Sequence, residues 1–188
     1  MAEIFDLVDE GDRKIGTTDF KTAYRDGQRI RVVQIWVVNS KGEILLQRRG
    51  HNTILYPDTW DSSAGEHVQT CETYEQAAIR GLKEELSLQN PSITLVEKMV
   101  SHIQTPVFHS NVFLSLFLCP TDDMAIPLEG ELQDAKFWKW NEIEDAVSKQ
   151  PNQFSGTFQN VWNELNRKAL DKLQHLPKSK PLKKGATK

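Results

Sequence analysis

The chain is poor in cysteine. Two occur among its 188 residues, Cys71 and Cys119, in no C-x-x-C arrangement, which excludes a disulfide framework and a zinc-ribbon or thioredoxin-type motif. Long apolar runs are missing too. The longest, "IWVV" at 35–38, is far short of the roughly 20 residues that span a bilayer. The opening "MAEIFDLVDEGD" is acidic where a secretory leader would be basic. Internal repeats are absent. Together these deficits predict a protein of a reducing compartment, the cytoplasm, with no membrane partner.

Positive charge is scarce over most of the chain. The formal net charge is −3, but "PKSKPLKKGATK" at 177–188 holds five lysines and no acid, leaving 18 basic and 26 acidic residues before it. An acidic body disfavours nonspecific nucleic-acid binding, which depends on phosphate neutralisation. The tail reads as a flexible, solvated basic end.

At 38% hydrophobic residues, the chain can bury one sizeable core. "EIFDLVD" reads as a short strand, "EGDRKIG" as turn and "TTDFKTAYRD" as a short helix. "IRVVQIWVV" and "EILLQRR", joined by "NSKG", read as a hairpin. Residues 50–65 are irregular. A helix begins near Thr73, whose pairing with Gln76 resembles a capping box, and Ala78, Leu82 and Leu86 give it an apolar stripe. "SITLVEKMVSHI", "NVFLSLFLC" and "DAKFWKW" follow as strands, with Trp138 and Trp140 on one strand face. "NEIEDAVSKQ" reads as a helix capped by Asn141, and a last amphipathic helix covers roughly 157–174. Strands and helices mix without regular βαβ alternation, so the fold class is α+β, or a layered α/β/α arrangement.

The chemistry concentrates in "EHVQTCETYEQAAIRGLKEELSL", residues 66–88. Glu84 and Glu85 are adjacent on the helix, with Arg80 one turn before Glu84, and on an isolated helix these are ordinary surface charges and an i,i+4 pair. The stretch as a whole resembles a Nudix box, G-x5-E-x7-R-E-U-x-E-E-x-G-U with U aliphatic. Glu72, Arg80, Leu82, Glu84, Glu85 and Leu88 fit six of the nine defined positions. The preceding "RVVQIWVVNSKGEILLQRR" and "YPDTWDSSAG" are most similar to the branch related to isopentenyl-diphosphate isomerase. The resemblance implies a Nudix domain over 1–150, a mixed sheet sandwiched between helices, with 151–176 as a helical extension packing on it. The isomerase activity is not expected. Its catalytic cysteine slot is Gly65, Cys71 lies too far along, and its metal histidines fall on Ala23 and Ile30.

The resemblance also implies roles. Glu85, Glu84 and the backbone of Gly65 would hold Mg²⁺ or Mn²⁺. Arg80 would orient the glutamates, with Glu72 as its ion-pair partner. Glu131, Glu129 or Glu66 would act as base. Arg48 or Arg49 could hold a phosphate, although alternation lets only one of them face the site. His67 either reaches the diphosphate or is a hydrogen-bonded structural histidine. Three positions depart from the box: Glu66 and Ser87 replace glycines, and Gly81 replaces a glutamate. Glycine at 81 either removes a needed carboxylate or lets another segment pack against the helix. Glutamate at 66 is expected to resist a backbone conformation suited to glycine. The expected function is metal-dependent hydrolysis of a nucleoside diphosphate linked to another group. The alternative is a weakened Nudix module that binds a nucleotide or a protein.

Overall fold

The computed structural model describes residues 3–123 and 132–175. The basic tail, Glu129 and Glu131 lie outside the described residues. The chain starts with an antiparallel pair, β1 (Ile4–Val8) and β2 (Lys14–Asp19), in register from Ile4↔Asp19. "KIG", expected as turn, is therefore strand. Its residues are too polar to signal burial, and pairing with β1 gives their backbone groups partners. Thr17, Thr18 and Asp19 belong to β2 as well, so helix α1 (Phe20–Asp26) starts later than the sequence suggests, with Asp19 accepting from the Thr22 N–H at 3.0 Å as its cap.

The main sheet contains β3 (Arg29–Val38), β4 (Ile44–Arg49), β5 (Trp60–Asp61), β6 (Ala64–His67), β7 (Thr94–Gln104), β8 (His109–Pro120) and β9 (Leu132–Trp138). It is mixed, because β3 runs parallel to β8 while its other neighbours are antiparallel. β3 is buried on both faces, which explains its nearly unbroken apolar sequence. Val33, Ile35 and Val37 meet Ala78, Leu82 and Leu86 of helix α2 (Tyr74–Leu86). Val32, Trp36 and Val38 point the other way. They pack into a core shared with helix α3 (Trp140–Lys149) through Ile143 and helix α4 (Gly156–His175) through Phe158, Val161, Trp162 and Leu165. The architecture is α+β, a mixed sheet between helices.

Two details near 140 differ from the sequence reading. Trp140 opens α3 and packs its ring 5.2 Å from Trp162, away from Trp138. Asn141 lies inside that helix. Lys139 is the cap residue, its N–H donated to Glu142 at 3.1 Å.

The expected hairpin exists at one point only. β3 and β4 pair at Val38↔Ile44 and then part. β6 takes the edge β3 leaves free, over Val32–Ile35, while β4 pairs with β5 and β9. Ser63 bridges the opening: its buried hydroxyl accepts from the Val37 N–H at 2.7 Å and donates to the Leu45 carbonyl. One small side chain thus satisfies a backbone group on each strand, and the parted strands leave room for a cavity.

Candidate active site

The cavity, about 610 Å³, lies where β3, β4 and β6 diverge, and Gln47, Arg49, Gly65, Glu66, His67 and Glu85 are among its lining residues. Each comes from a different constraint on the chain. β4 alternates, so Arg49 turns into the cavity and anchors on the Leu55 carbonyl at 2.9 Å and on Asp61 at 3.4 Å. Arg48 is exposed and donates to the Asp58 carbonyl. Of the two arginines, only Arg49 lines the cavity.

Helix α2 is positioned by the expected capping box, Thr73 with Gln76, and by its apolar stripe. It ends at Ser87, which adopts the left-handed conformation (φ 56°) that the box pattern assigns to glycine. On its polar side Arg80 gathers the strand, the loop and the helix. It donates to both oxygens of Glu72 (2.9 and 3.1 Å), to Glu66 at 2.9 Å, to Glu84 at 3.2 Å and to the His67 carbonyl at 2.9 Å. A guanidinium with nearly all its donors engaged is a rigid fixture rather than a mobile charge.

Glu66 resolves two of the three departures from the box together. Its backbone is ordinary strand, with no positive φ at 65 or 66, so the expected conformational conflict does not arise. A Cβ placed on Gly81 would lie 2.5 Å from Glu66 Cγ. The glycine admits this side chain, the close approach being made by Glu66 of β6.

Glu85 is held from both sides, by the Gly65 N–H at 3.0 Å on Oε1 and by Gln47 Nε2 at 3.0 Å on Oε2. Burial pushes its carboxyl up to about 8, and the charge of Glu66 adds to the rise. Burial likewise pushes Glu66 to about 7, against the pull of Arg80. Two carboxyls that resist ionising in one cavity are a place where a cation is welcome. Glu84 differs, with a side chain 58% exposed.

His67 sits at the inner wall, stacked on Phe5 (4.9 Å between centroids) and hydrogen-bonded through Nε2 to Tyr24 Oη at 2.8 Å. Burial holds it at about 4, aided by the charges of Arg80 and Arg49, so it is neutral at physiological pH. Asp61, which also lines the cavity, is buried, and desolvation raises its pKa against the opposing charge of Arg49.

Nudix sites use a divalent cation, and the donors here fit one. Among the described residues no three His, Cys, Asp or Glu side chains already surround one point. Yet the cavity offers two half-buried carboxylates, Glu66 and Glu85. Gln47 lines it too, and its buried Oε1 has no hydrogen-bond partner among the described residues, a costly state for a polar atom. Hard oxygen donors with room for water match a hard divalent cation. Gln47, Asp61, Tyr24 and Ser63 were not singled out from sequence. For Gln47 the available signal was a glutamine directly following the apolar run "ILL" of a buried strand segment.

Fold and cavity together define a Nudix-type domain. Residues 28–158 match the family model of the NUDIX domain, and the chain belongs to the Nudix family. An uncharacterized Nudix hydrolase of Nostoc sp. is 44% identical over 87 residues, 46% of this chain and 52% of that protein, so the chain spans about half the length of such relatives. Isopentenyl-diphosphate Delta-isomerase 2 of Photorhabdus laumondii is 26% identical over 180 residues, 94% of this chain and 99% of the isomerase. The structure of DR0079 from Deinococcus radiodurans superposes with a TM-score of 0.74 at 23% identity, covering 87% of this chain and 99% of that one.

Proposed function

We propose that this Nudix domain is a metal-dependent pyrophosphohydrolase that cleaves a nucleoside diphosphate linked to another group. The observation that carries the reading is the half-buried, doubly anchored Glu85 sharing one cavity with Glu66 and with Gln47, whose Oε1 has no partner among the described residues. Glu85 and Glu84, with the backbone of Gly65, would hold the Mg²⁺ or Mn²⁺, which when bound neutralises charge on the diphosphate oxygens. Arg80 fixes the carboxylates so that little reorganisation accompanies the reaction. Arg49 presents a guanidinium edge to a phosphate, its position set by Asp61 and the Leu55 carbonyl. Neutral His67 packs the wall. The base that takes the proton from the attacking water is Glu131 or a carboxylate of the cavity.

Isomerase chemistry has no support in these residues. Cys71 is exposed in the turn before α2 and does not line the cavity. Ala23 and Ile30 are buried apolar side chains, and His67 is held in its aromatic cage.

The test is release of mononucleotide from a panel of nucleoside diphosphate derivatives with Mg²⁺ or Mn²⁺. Turnover that Glu85→Gln abolishes is the expected result. A wild type silent across the panel, yet binding one of its members, would replace the hydrolase with a nucleotide-binding module.

A further inference from the structure

Two departures from the Nudix pattern lie on different elements, yet they meet in space. Glutamate stands at 66, on β6, where the pattern has glycine. Glycine stands at 81, on α2, where the pattern has glutamate. The Glu66 side chain passes over Gly81 so closely that a Cβ there would sit 2.5 Å from Cγ and 3.6 Å from both Cβ and Cδ. Glu66 therefore fills the space into which a side chain at 81 would grow. Even alanine at 81 would displace it. Its carboxylate pairs with Arg80 at 2.9 Å, the residue that also holds Glu72 and Glu84, and Glu66 lines the same cavity as Glu85.

We propose that positions 66 and 81 have exchanged roles, so that strand β6 supplies through Glu66 the metal-ligating carboxylate that helix α2 lacks at Gly81. An independent observation points to a ligand at the same place. Gln47 is buried and lines this cavity, and its Oε1 has no partner among the described residues, while its Nε2 is committed to Glu85. Mg²⁺ and Mn²⁺ sites of few carboxylates keep several waters, and such a site would supply the donor that Gln47 lacks. The exchange costs the fold little. Glu66 has unstrained strand geometry, and the glycine at 81, a weak helix former that α2 tolerates, is the residue the crossing side chain requires. The proposal rests on the metal-dependent reading of the site given above.

The experiment is Mn²⁺ titration followed by calorimetry and by the electron paramagnetic resonance signal of free Mn²⁺, with folding checked by thermal melting. It compares wild type, Glu66→Gln, Glu66→Gly, Gly81→Glu, the double variant Glu66→Gly/Gly81→Glu, and Glu85→Gln. Glu66→Gln keeps the shape and one contact to Arg80, so its loss of affinity, expected to be tenfold or more, reports on the ligand and not on folding. Glu66→Gly loses as much. The double variant returns the carboxylate to the helix and recovers most of the affinity that Glu66→Gly loses. Gly81→Glu alone, with two side chains contending for one space, melts lower than wild type. Unchanged affinity in Glu66→Gln, or a double variant no tighter than Glu66→Gly, overturns the exchange. If Glu85→Gln nevertheless loses Mn²⁺, the metal-dependent reading stands and only the role of Glu66 falls. A wild type that binds no Mn²⁺ overturns both.

Discussion

Gln47 donates Nε2 to Glu85 Oε2 at 3.0 Å while the Gly65 N–H holds Oε1 at the same distance. A carboxylate anchored through both oxygens has its orientation set by its neighbours, and Gln47 is the one that can be removed without touching the backbone. Gln47→Leu keeps the volume and deletes the anchor. We expect Mn²⁺ affinity to fall roughly 10- to 100-fold, the usual cost of losing a residue that orients a ligand, with the melting temperature of the metal-free protein nearly unchanged. Equal Mn²⁺ titrations of both proteins would refute the anchoring role.

The same site links metal to pH. Glu66 and Glu85 have folded-state values raised to about 7 and about 8, from 4.5. The folded protein holds these protons where the unfolded chain has released them. Metal-free stability contributed by the pair is therefore lost as pH rises from about 4.5 through about 8. A cation competes with the protons, so it stabilises more at pH 8 than at pH 6. At a hundredfold excess over its Kd, Mn²⁺ should add about 2.7 kcal/mol. Thermal melts with and without EDTA at the two pH values check both sign and size.

His67 carries the opposite sign. Its value falls from 6.5 to about 4, chiefly by burial. Above pH 6.5 the imidazole is neutral in both states and contributes nothing. As pH drops from 6.5 to 4 the unfolded chain gains a proton that the folded one refuses, and stability falls by about 3 kcal/mol. Urea denaturation across this window should show the slope in wild type and a shallower one in His67→Phe. The slope is the readout, because the variant also deprives Tyr24 of a hydrogen-bond partner.

Arg80 and Glu84 share an ion pair at 3.2 Å but not its consequences. Arg80→Met strands Glu66 and Glu72, whose side chains are 16% and 15% exposed, and should destabilise by about 3 kcal/mol or more. Glu84→Gln alters a side chain 58% exposed, so its stability effect should stay below about 1 kcal/mol. Denaturant midpoints of the two variants separate these outcomes.

Ser87 occupies a left-handed helix terminus, φ 56°, with the Leu88 N–H bonded back to the Leu82 carbonyl at 3.1 Å. Glycine removes the Cβ penalty there, so Ser87→Gly should stabilise by about 1 kcal/mol. A lower melting temperature would show that the serine hydroxyl makes a compensating contact.

Much was fixed locally and could be read from the residues. The apolar run of β3, the Thr73–Gln76 cap, the Ala78–Leu82–Leu86 stripe and the Arg80 to Glu84 spacing each depend on neighbours within a turn or a strand, and periodicity records them. The start of α3 at Trp140 and the strand character of "KIG" were not legible, because caps and pairing partners decided them. The carboxylate arrangement was the hardest. Sequence singled out Glu84, Glu85 and Arg80, and it registered Gly81 and Glu66 as two separate departures from the box, Glu66 also as a candidate base. Only the tertiary structure set β6 against α2, with Glu66 lying over the missing side chain at position 81. The same holds for the parted strands that Ser63 bridges and for the unpartnered oxygen of Gln47. Spacing along a chain specifies which side chains share a helix face. Which side chains from different elements fill one volume is decided by packing, since excluded volume acts between atoms in space without regard to their separation in sequence.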